Sequence, residues 1–268
     1  MHGHDVTTWQ AWHELTTLTP AVGRFDPADV ADLPAPARRL LEFALEPGVA
    51  LSPIVVLAME GRIRLRAWMS FTARQVLHVG RGMVWAARVG PRPLTVSGSD
   101  LLWRGRAGLD FWLWGRVPVA HAVGPDVDLS TIGRMAAETV AWAPQGLLPA
   151  LGATWLGLDD RRAVVVLTIE GHEVHVVVTV DDTGRLRELE LDRWGDPETG
   201  VFGWHVFGGT FTDHATFDGV TIPTAGRVGW DHGTRGQAAG EFLEFAITDA
   251  RFPNLAVDLD RPPVLLDT

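Results

Sequence analysis

GLDFWLWGRVPVA, Gly108 to Ala120, is the stretch on which the fold turns. Read as one β-strand, it places Leu109, Phe111 and Leu113 on one face and Asp110, Trp112, Trp114 and Arg116 on the other. An antiparallel sheet usually leaves one face to water, and here both faces carry large apolar side chains. The second face therefore needs a helix, a partner or a ligand against it. Trp112 and Trp114 are expected under a helix or in a cavity.

Outward from this stretch, period-two patterning extends in both directions. From about Pro53 to Val123 the runs IVVLAME, RIRLRAWMSF, MVWAARV, PLTVSG, DLLWR and DFWLWGRVPVA read as a meander of strands, with a turn at Glu60-Gly61. Beyond residue 160, RAVVVLTIEG, HEVHVVVTVDDTG and RLRELELDRWG resume the pattern, with hairpin signals at Glu170-Gly171 and Asp182-Thr183-Gly184. GTFTDHATF and VTIPTAGRVGW follow, joined through Asp218-Gly219, and EFLEFAITDARF ends the series.

Two segments break the alternation. DPADVADLPAPARRLLEFALEPG reads as helix, with Asp26 as N-cap, Pro27 at the first position and Pro47-Gly48 as the stop. GPDVDLSTIGRMAAETVAWAPQGLLPAL reads as a second helix near residues 129–142, capped by Asp128 or Ser130, with Ile132, Met135, Ala136, Thr139 and Val140 on its mainly apolar face. Roughly eleven strands and one inserted helix predict a mainly β (α+β) fold: a large curved antiparallel sheet or half-barrel, with helices covering the concave face. The expected organisation is an N-terminal arm over 1–26, one half-barrel-like domain over 27–252 and a C-terminal tail over 253–268.

Composition removes whole classes of chemistry. The formal net charge of −10 argues against nucleic acid or an anionic membrane as partner. The chain has no cysteine, hence no disulfide, thiolate nucleophile or cysteine zinc site. All 23 basic residues are arginine, which removes Schiff-base chemistry and the P-loop lysine. Tyrosine is missing too, leaving His, Asp, Glu, Ser and Thr for proton transfer or nucleophilic attack. The opening MHGHDVTTWQAWHEL has no signal-peptide pattern, and no apolar run reaches the roughly 18 residues of a spanning helix. A cytoplasmic protein with no transmembrane segment is expected.

The succession RIRLRAWMSFTARQVL, MVWAARV, DLLWRGRAG, LSTIGRMAAETVAWAPQGLLPA, RLRELELDRWG and FDGVTIPTAGRVGW resembles a bacterial family of unknown function, over about Pro34 to Phe252. Strand order and inserted helix are also similar to the LolA/LolB-like lipoprotein-carrier fold, a half-barrel around a hydrophobic cavity. That architectural resemblance implies binding of a lipid or another hydrophobic ligand. The chain departs from those carriers in showing neither a signal sequence nor a cysteine for lipidation, which speaks against a role in envelope trafficking.

On the inserted helix, Arg134, Glu138 and Trp142 recur at i, i+4 and i+8 and share one face. Turned into a cavity, they bind a polar head group or supply an acid or base; turned outward, Arg134 and Glu138 form a surface ion pair worth roughly 0.3 kcal/mol. His175 alternates with Glu173 and Val177 and is the candidate general base to accompany Glu138. His205, among aromatic and glycine residues in FGWHVFGG, fits the mouth of a cavity, with Trp112 and Trp114 as further ligand contacts. HEVH at 172–175 lies on a strand, where histidines three apart face opposite sides, so no metal site is expected there. Glu188, Glu190 and Asp192 share one strand face, which a solvated surface explains. No cofactor motif is present, and no cofactor is expected.

The function expected is binding of a hydrophobic small molecule, lipid-like or polycyclic, between sheet and helix. A cofactor-independent isomerase, cyclase or hydrolase acting in the same cavity is the alternative. A protein-interaction module using an exposed aromatic face is a third.

Overall fold

The computed structural model describes residues 3–17, 21–197 and 200–253. The chain starts with α1 (Gly3–Thr16) and, after a 3-10 turn at Pro27–Val30, continues into α2 (Ala35–Ala44). The first meander runs through β1 (Ile54–Arg64), β2 (Trp68–His78), β3 (Gly82–Val89), β4 (Val96–Trp103), β5 (Arg106–Leu113) and β6 (Val117–Val123). Helix α3 (Pro125–Trp142) then carries the chain across the sheet to the far edge. The return path is β7 (Thr154–Gly157), β8 (Arg162–Ile169), β9 (His172–Val180), β10 (Leu186–Gly195) and β11 (Gly203–Phe211). A separate hairpin of β12 (His214–Phe217) and β13 (Val220–Pro223) precedes β14 (Ala225–Trp230), the short helix α4 (Gln237–Gly240) and β15 (Glu241–Arg251).

Thirteen strands among the described residues form one antiparallel sheet in the order β6-β5-β4-β3-β2-β1-β15-β14-β11-β10-β9-β8-β7. The sheet thus consists of two meanders joined along β1 and β15, where Leu57 faces Ala250 and Ile63 faces Leu243. The curved, mainly β architecture agrees with the alternation in the sequence. Because β6 and β7 are opposite edges, the segment between them has to cross a face, and α3 does so over the inner, concave one.

Period-two alternation decides which side chains meet α3. On β1 to β3 the inner positions Val55, Leu57, Leu77 and Met83 are sealed in the main core with Ile132, Met135 and Val140 of α3. The outer positions Ile54, Val56, Val76 and Val84 pack instead against Ala11, Trp12 and Leu15 of α1. The expected N-terminal arm is therefore, over Gly3–Thr16, a helix lying on the outer face, so not every helix sits on the concave side. A Thr8–Ser99 hydroxyl pair at 2.8 Å and a Glu14–Arg104 ion pair at 2.8 Å fasten it to β4 and the following turn. Helix α2 joins the inner core through Leu40, Leu41 and Ala44, at the end of the sheet formed by β7 to β9. Of the expected C-terminal tail, residues 254–268 lie outside the described residues.

Several boundaries differ from the sequence expectation. GLDFWLWGRVPVA is a hairpin rather than one strand: β5 ends at Leu113, and Trp114 and Gly115 take φ of 55° and 63°. Two successive positive φ values make the tight turn whose twist suits a β-hairpin. Glu60-Gly61 is no turn, since β1 runs straight through it to Arg64. A Cβ on Gly61 would collide with the Glu244 carbonyl, so glycine there serves close strand approach rather than chain reversal. PLTVSG and DLLWR likewise merge into the single strand β4. Helix α3 begins at Pro125 behind Gly124, a full turn before the expected start, and Asp128 accepts from the Ala107 amide at 2.6 Å rather than capping the helix. Asp26 caps only the 3-10 turn, by accepting from Ala28 N at 2.9 Å.

Candidate functional site

The antiparallel register lays a row of side chains across the first meander: Gln75 faces Trp85, Trp85 faces Asp100, and Asp100 faces Leu109. Helix α3 passes over this row. Its Arg134 guanidinium lies 5.4 Å from the centre of the Trp85 ring, donates from Nε to Glu138 Oε1 at 2.7 Å and from Nη1 to Asp100 Oδ2. Gln75 Nε2 donates to Glu138 Oε2, so each Glu138 oxygen accepts from a side chain. Burial alone would push the Arg134 guanidinium down, but Glu138 and Asp100 outweigh that effect and hold it above the ordinary arginine value. Arg134 is a fixed cation between two carboxylates. Around it, Gln75 Oε1, Asp100 Oδ1 and Trp142 Nε1 are enclosed with no hydrogen-bond partner among the described residues.

The second meander contributes one charged side chain to the same space. Leu189, Leu191 and Arg193 occupy alternate inward positions on β10. The Arg193 stem runs beneath Gly133 of α3, where a Cβ would stand 3.0 Å from Arg193 Cγ and press the stem aside by a few tenths of an ångström. Arg193 Nε donates to the Ser130 carbonyl at 3.0 Å, with a longer contact of 3.4 Å from Nη2 to Ser130 Oγ. Its guanidinium is covered by the rings of Phe207 at 4.7 Å and Trp230 at 5.1 Å. Only 9% of the residue is exposed, and no carboxylate of the described residues pairs with it. Burial first, and then Arg134, push its guanidinium down to about 10 against the pull of Asp100 and Glu138, so it stays cationic at neutral pH.

Between these two clusters lies a cavity of about 760 Å³. Its walls are mostly apolar and aromatic, with Trp85, Phe111, Trp142, Phe207, Phe245 and Leu243 prominent. Arg64 and Leu65, at the tip of the β1–β2 hairpin, and residues 239–240 of α4 border it, and Arg64 Nη2 donates to the Ala239 carbonyl. This size and lining suit a small organic molecule.

The structure brings Arg134, Glu138 and Trp142 together on the cavity wall. It does not bring the remaining candidates there. Trp112 is half-buried on the outer face of β5. Trp114 sits in the β5–β6 turn, 59% exposed, and donates from Nε1 to the Pro93 carbonyl at 2.6 Å. The expectation of these two indoles as ligand contacts is thereby corrected: Trp112 keeps the face opposite Leu109 and Phe111, and it is those two that line the cavity, while the turn at Trp114-Gly115 takes Trp114 out of the strand. His175 is exposed on the outer face of β9, facing Val166, while Val176 and Val178 point inward. His205 is half-buried on β11 with its ring 6.1 Å from that of Trp230, and it does not line the cavity.

Gln75, Asp100 and Arg193 were not singled out from the sequence. Arg193 had a visible signal, as the continuation of the inward Leu189-Leu191 stripe. Asp100 had none, since it stood at an apparent strand boundary. The carboxylates Glu188, Glu190 and Asp192 lie on the outer face of β10, and among the described residues no group of three His, Asp or Glu is placed to hold a metal ion. No helix of the described residues is long and apolar enough to cross a membrane.

No curated protein matches the chain. Among solved structures it is similar to an outer membrane lipoprotein-sorting protein domain from Vibrio parahaemolyticus, with 15% identity and a TM-score of 0.40 over 74% of this chain and 85% of that one. It is also similar to a LolA superfamily protein from Nitrosomonas europaea, with 13% identity and a TM-score of 0.44 over 82% and 93% of the two chains. Residues 23–242 match a family defined as being of unknown function, as the sequence resemblance implied, and the chain belongs to that family, DUF6544.

Proposed function

We propose that the chain binds a hydrophobic small molecule, lipid-like or polycyclic, in the cavity between the inner face of the sheet and α3, without transforming it. The observation that carries this reading is the cavity of about 760 Å³, apolar over most of its wall with charged side chains at a few places. Water in such a space finds few partners along the aromatic walls, and an apolar body displaces it favourably.

The enzymatic alternative in its original form, with Glu138 and His175 as acid and base, lacks geometric support. Both Glu138 oxygens already accept from side chains, and His175 lies on the opposite face of the sheet. A metal-independent binding site is the simpler reading of this arrangement.

A neutral apolar dye such as N-phenyl-1-naphthylamine tests the proposal. Its fluorescence should rise on mixing with the protein, fall on addition of fatty acids or polycyclic aromatics, and be unaffected by chelator. Ala141 lines the cavity from α3, so Ala141→Trp should take up part of the space and weaken dye binding while the fold persists. Absence of a dye signal with the wild type, or an undiminished signal with folded Ala141→Trp, overturns the assignment.

A further inference from the structure

The cavity wall holds two arginines, of α3 and β10, one largely and one more deeply buried, in opposite circumstances. Arg134 is saturated by Asp100 and Glu138, whereas Arg193 meets no carboxylate among the described residues. We propose that the ligand of this cavity is an amphiphilic carboxylate, with its head group on Arg193 and its apolar body along the aromatic wall; this rests on the binding reading above.

The geometry of the guanidinium supports the assignment. A planar guanidinium offers two forks, one from Nε and Nη2 at its side and one from Nη1 and the second Nη2 hydrogen at its end. Ser130 takes the side fork, and Phe207 and Trp230 cover the ring-like faces. Nη1 has no hydrogen-bond partner among the described residues, and Arg193 lines the cavity. The end fork is therefore the edge left for a ligand, and a carboxylate matches it with two parallel N–H···O bonds.

Charge sets the class of head group. A cation taken out of water and left without a counter-ion is costly, and a bound anion offsets that cost. The desolvation that lowers the Arg193 guanidinium acts in the same direction. Arg64, at the rim, also lacks a carboxylate among the described residues but is only half-buried and donates to the Ala239 carbonyl; Arg193 is the deeply buried cation, and one negative charge balances it. Asp100, Glu138, Asp196 and Asp231 also line the cavity, so a dianionic head such as a phosphate monoester meets about twice the repulsion that a monoanion meets at the same place. An ammonium placed where the carboxylate would sit lies beside Arg193 itself, and could gain only by turning toward Asp196 or Asp231.

The test compares myristate, myristyl alcohol and myristylamine, which share one tail, as displacers of N-phenyl-1-naphthylamine below their aggregation concentrations. A polycyclic carboxylate and its methyl ester form a second pair that separates chain-like from ring-like bodies. Wild type should favour carboxylate over alcohol, and acid over ester, by about tenfold or more, with the amine weakest. Arg193→Gln should bring carboxylate and alcohol within about threefold of each other while dye binding persists, and Arg193→Lys should keep part of the preference. Equal displacement by carboxylate and alcohol from wild type, or a preference that survives Arg193→Gln, overturns the head-group assignment and leaves the cavity reading standing. Failure of dye and all displacers to bind overturns both. Should Arg193→Gln not fold, the wild-type series and Arg193→Lys decide the matter.

Discussion

The two meanders meet one cavity with opposite treatments of buried polar groups. The first supplies Gln75 and Asp100 in register with Trp85, and α3 answers them with Glu138 and Arg134, so charges of both signs are paired. The second supplies Arg193, which finds a carbonyl, a hydroxyl and two aromatic faces. Their outer faces differ as well: α1 covers that of the first meander over β2 to β4, while Glu188 and Asp192 leave that of the second to water. Paired buried charge holds α3 to the sheet. Unpaired buried charge is what a ligand can use.

The largest expected effect comes from removing Arg134. Arg134→Met leaves Asp100 and Glu138 largely buried side by side without their cation and should cost about 3 kcal/mol in urea unfolding. Arg193→Met strands no partner carboxylate and removes an unpaired charge, so its cost should be smaller by at least about 2 kcal/mol. Equal losses from the two substitutions would break the comparison.

Next come the outer faces. Trp12→Ala hollows the α1 contact and should cost about 3 kcal/mol, with faster proteolysis near residue 17 as α1 loosens. Glu188→Ala, exposed on the other meander, should change stability by no more than about 0.5 kcal/mol. A comparable loss at Glu188 would mean that the second outer face is also covered.

Acid should weaken both halves. His78 on β2 is held below the ordinary value of 6.5 first by burial and also by Arg81; His214 on β12 is held below it by burial and then by Arg185 and Arg187. Both are neutral when folded, and the unfolded chain takes up their protons first. Their contribution is therefore intact above pH 6.5 and is lost as pH falls below it toward the folded-state values. Urea midpoints should drop as pH falls below about 6.5, less steeply in His78→Gln and in His214→Gln. A pH slope unchanged in either variant removes that histidine from the account. Smallest of all, Trp114→Phe should alter stability by less than about 0.5 kcal/mol and remove an indole open to iodide quenching.

How much of this was legible depends on sequence distance. Arg134, Glu138 and Trp142 were found because helical spacing puts them on one face whatever surrounds them. The sheet class was legible for the same reason, since alternation is local. Gln75, Asp100 and Arg193 come from three strands, and only register and the path of α3 bring them near each other. Glycine misled in one direction and tryptophan in the other. Gly61 looks like a turn residue but marks close approach to β15, a distinction that needs the partner strand. Trp114 looks like a strand residue but takes a positive φ, supported by Gly115 and a hydrogen bond to Pro93.

The joint between β1 and β15 bears on the order of assembly. Most strand pairs within each meander are hairpins whose ends lie close in the chain, so they form with little loop-closure entropy. Pairing Leu57 with Ala250 closes a loop spanning both meanders and α3, and such long-range contacts form late. The cavity draws walls from both sides of that joint, so it is complete only when the joint is closed. An occupant bound there resists re-opening of the joint, and refolding in its presence should slow the reverse step more than it speeds the forward one.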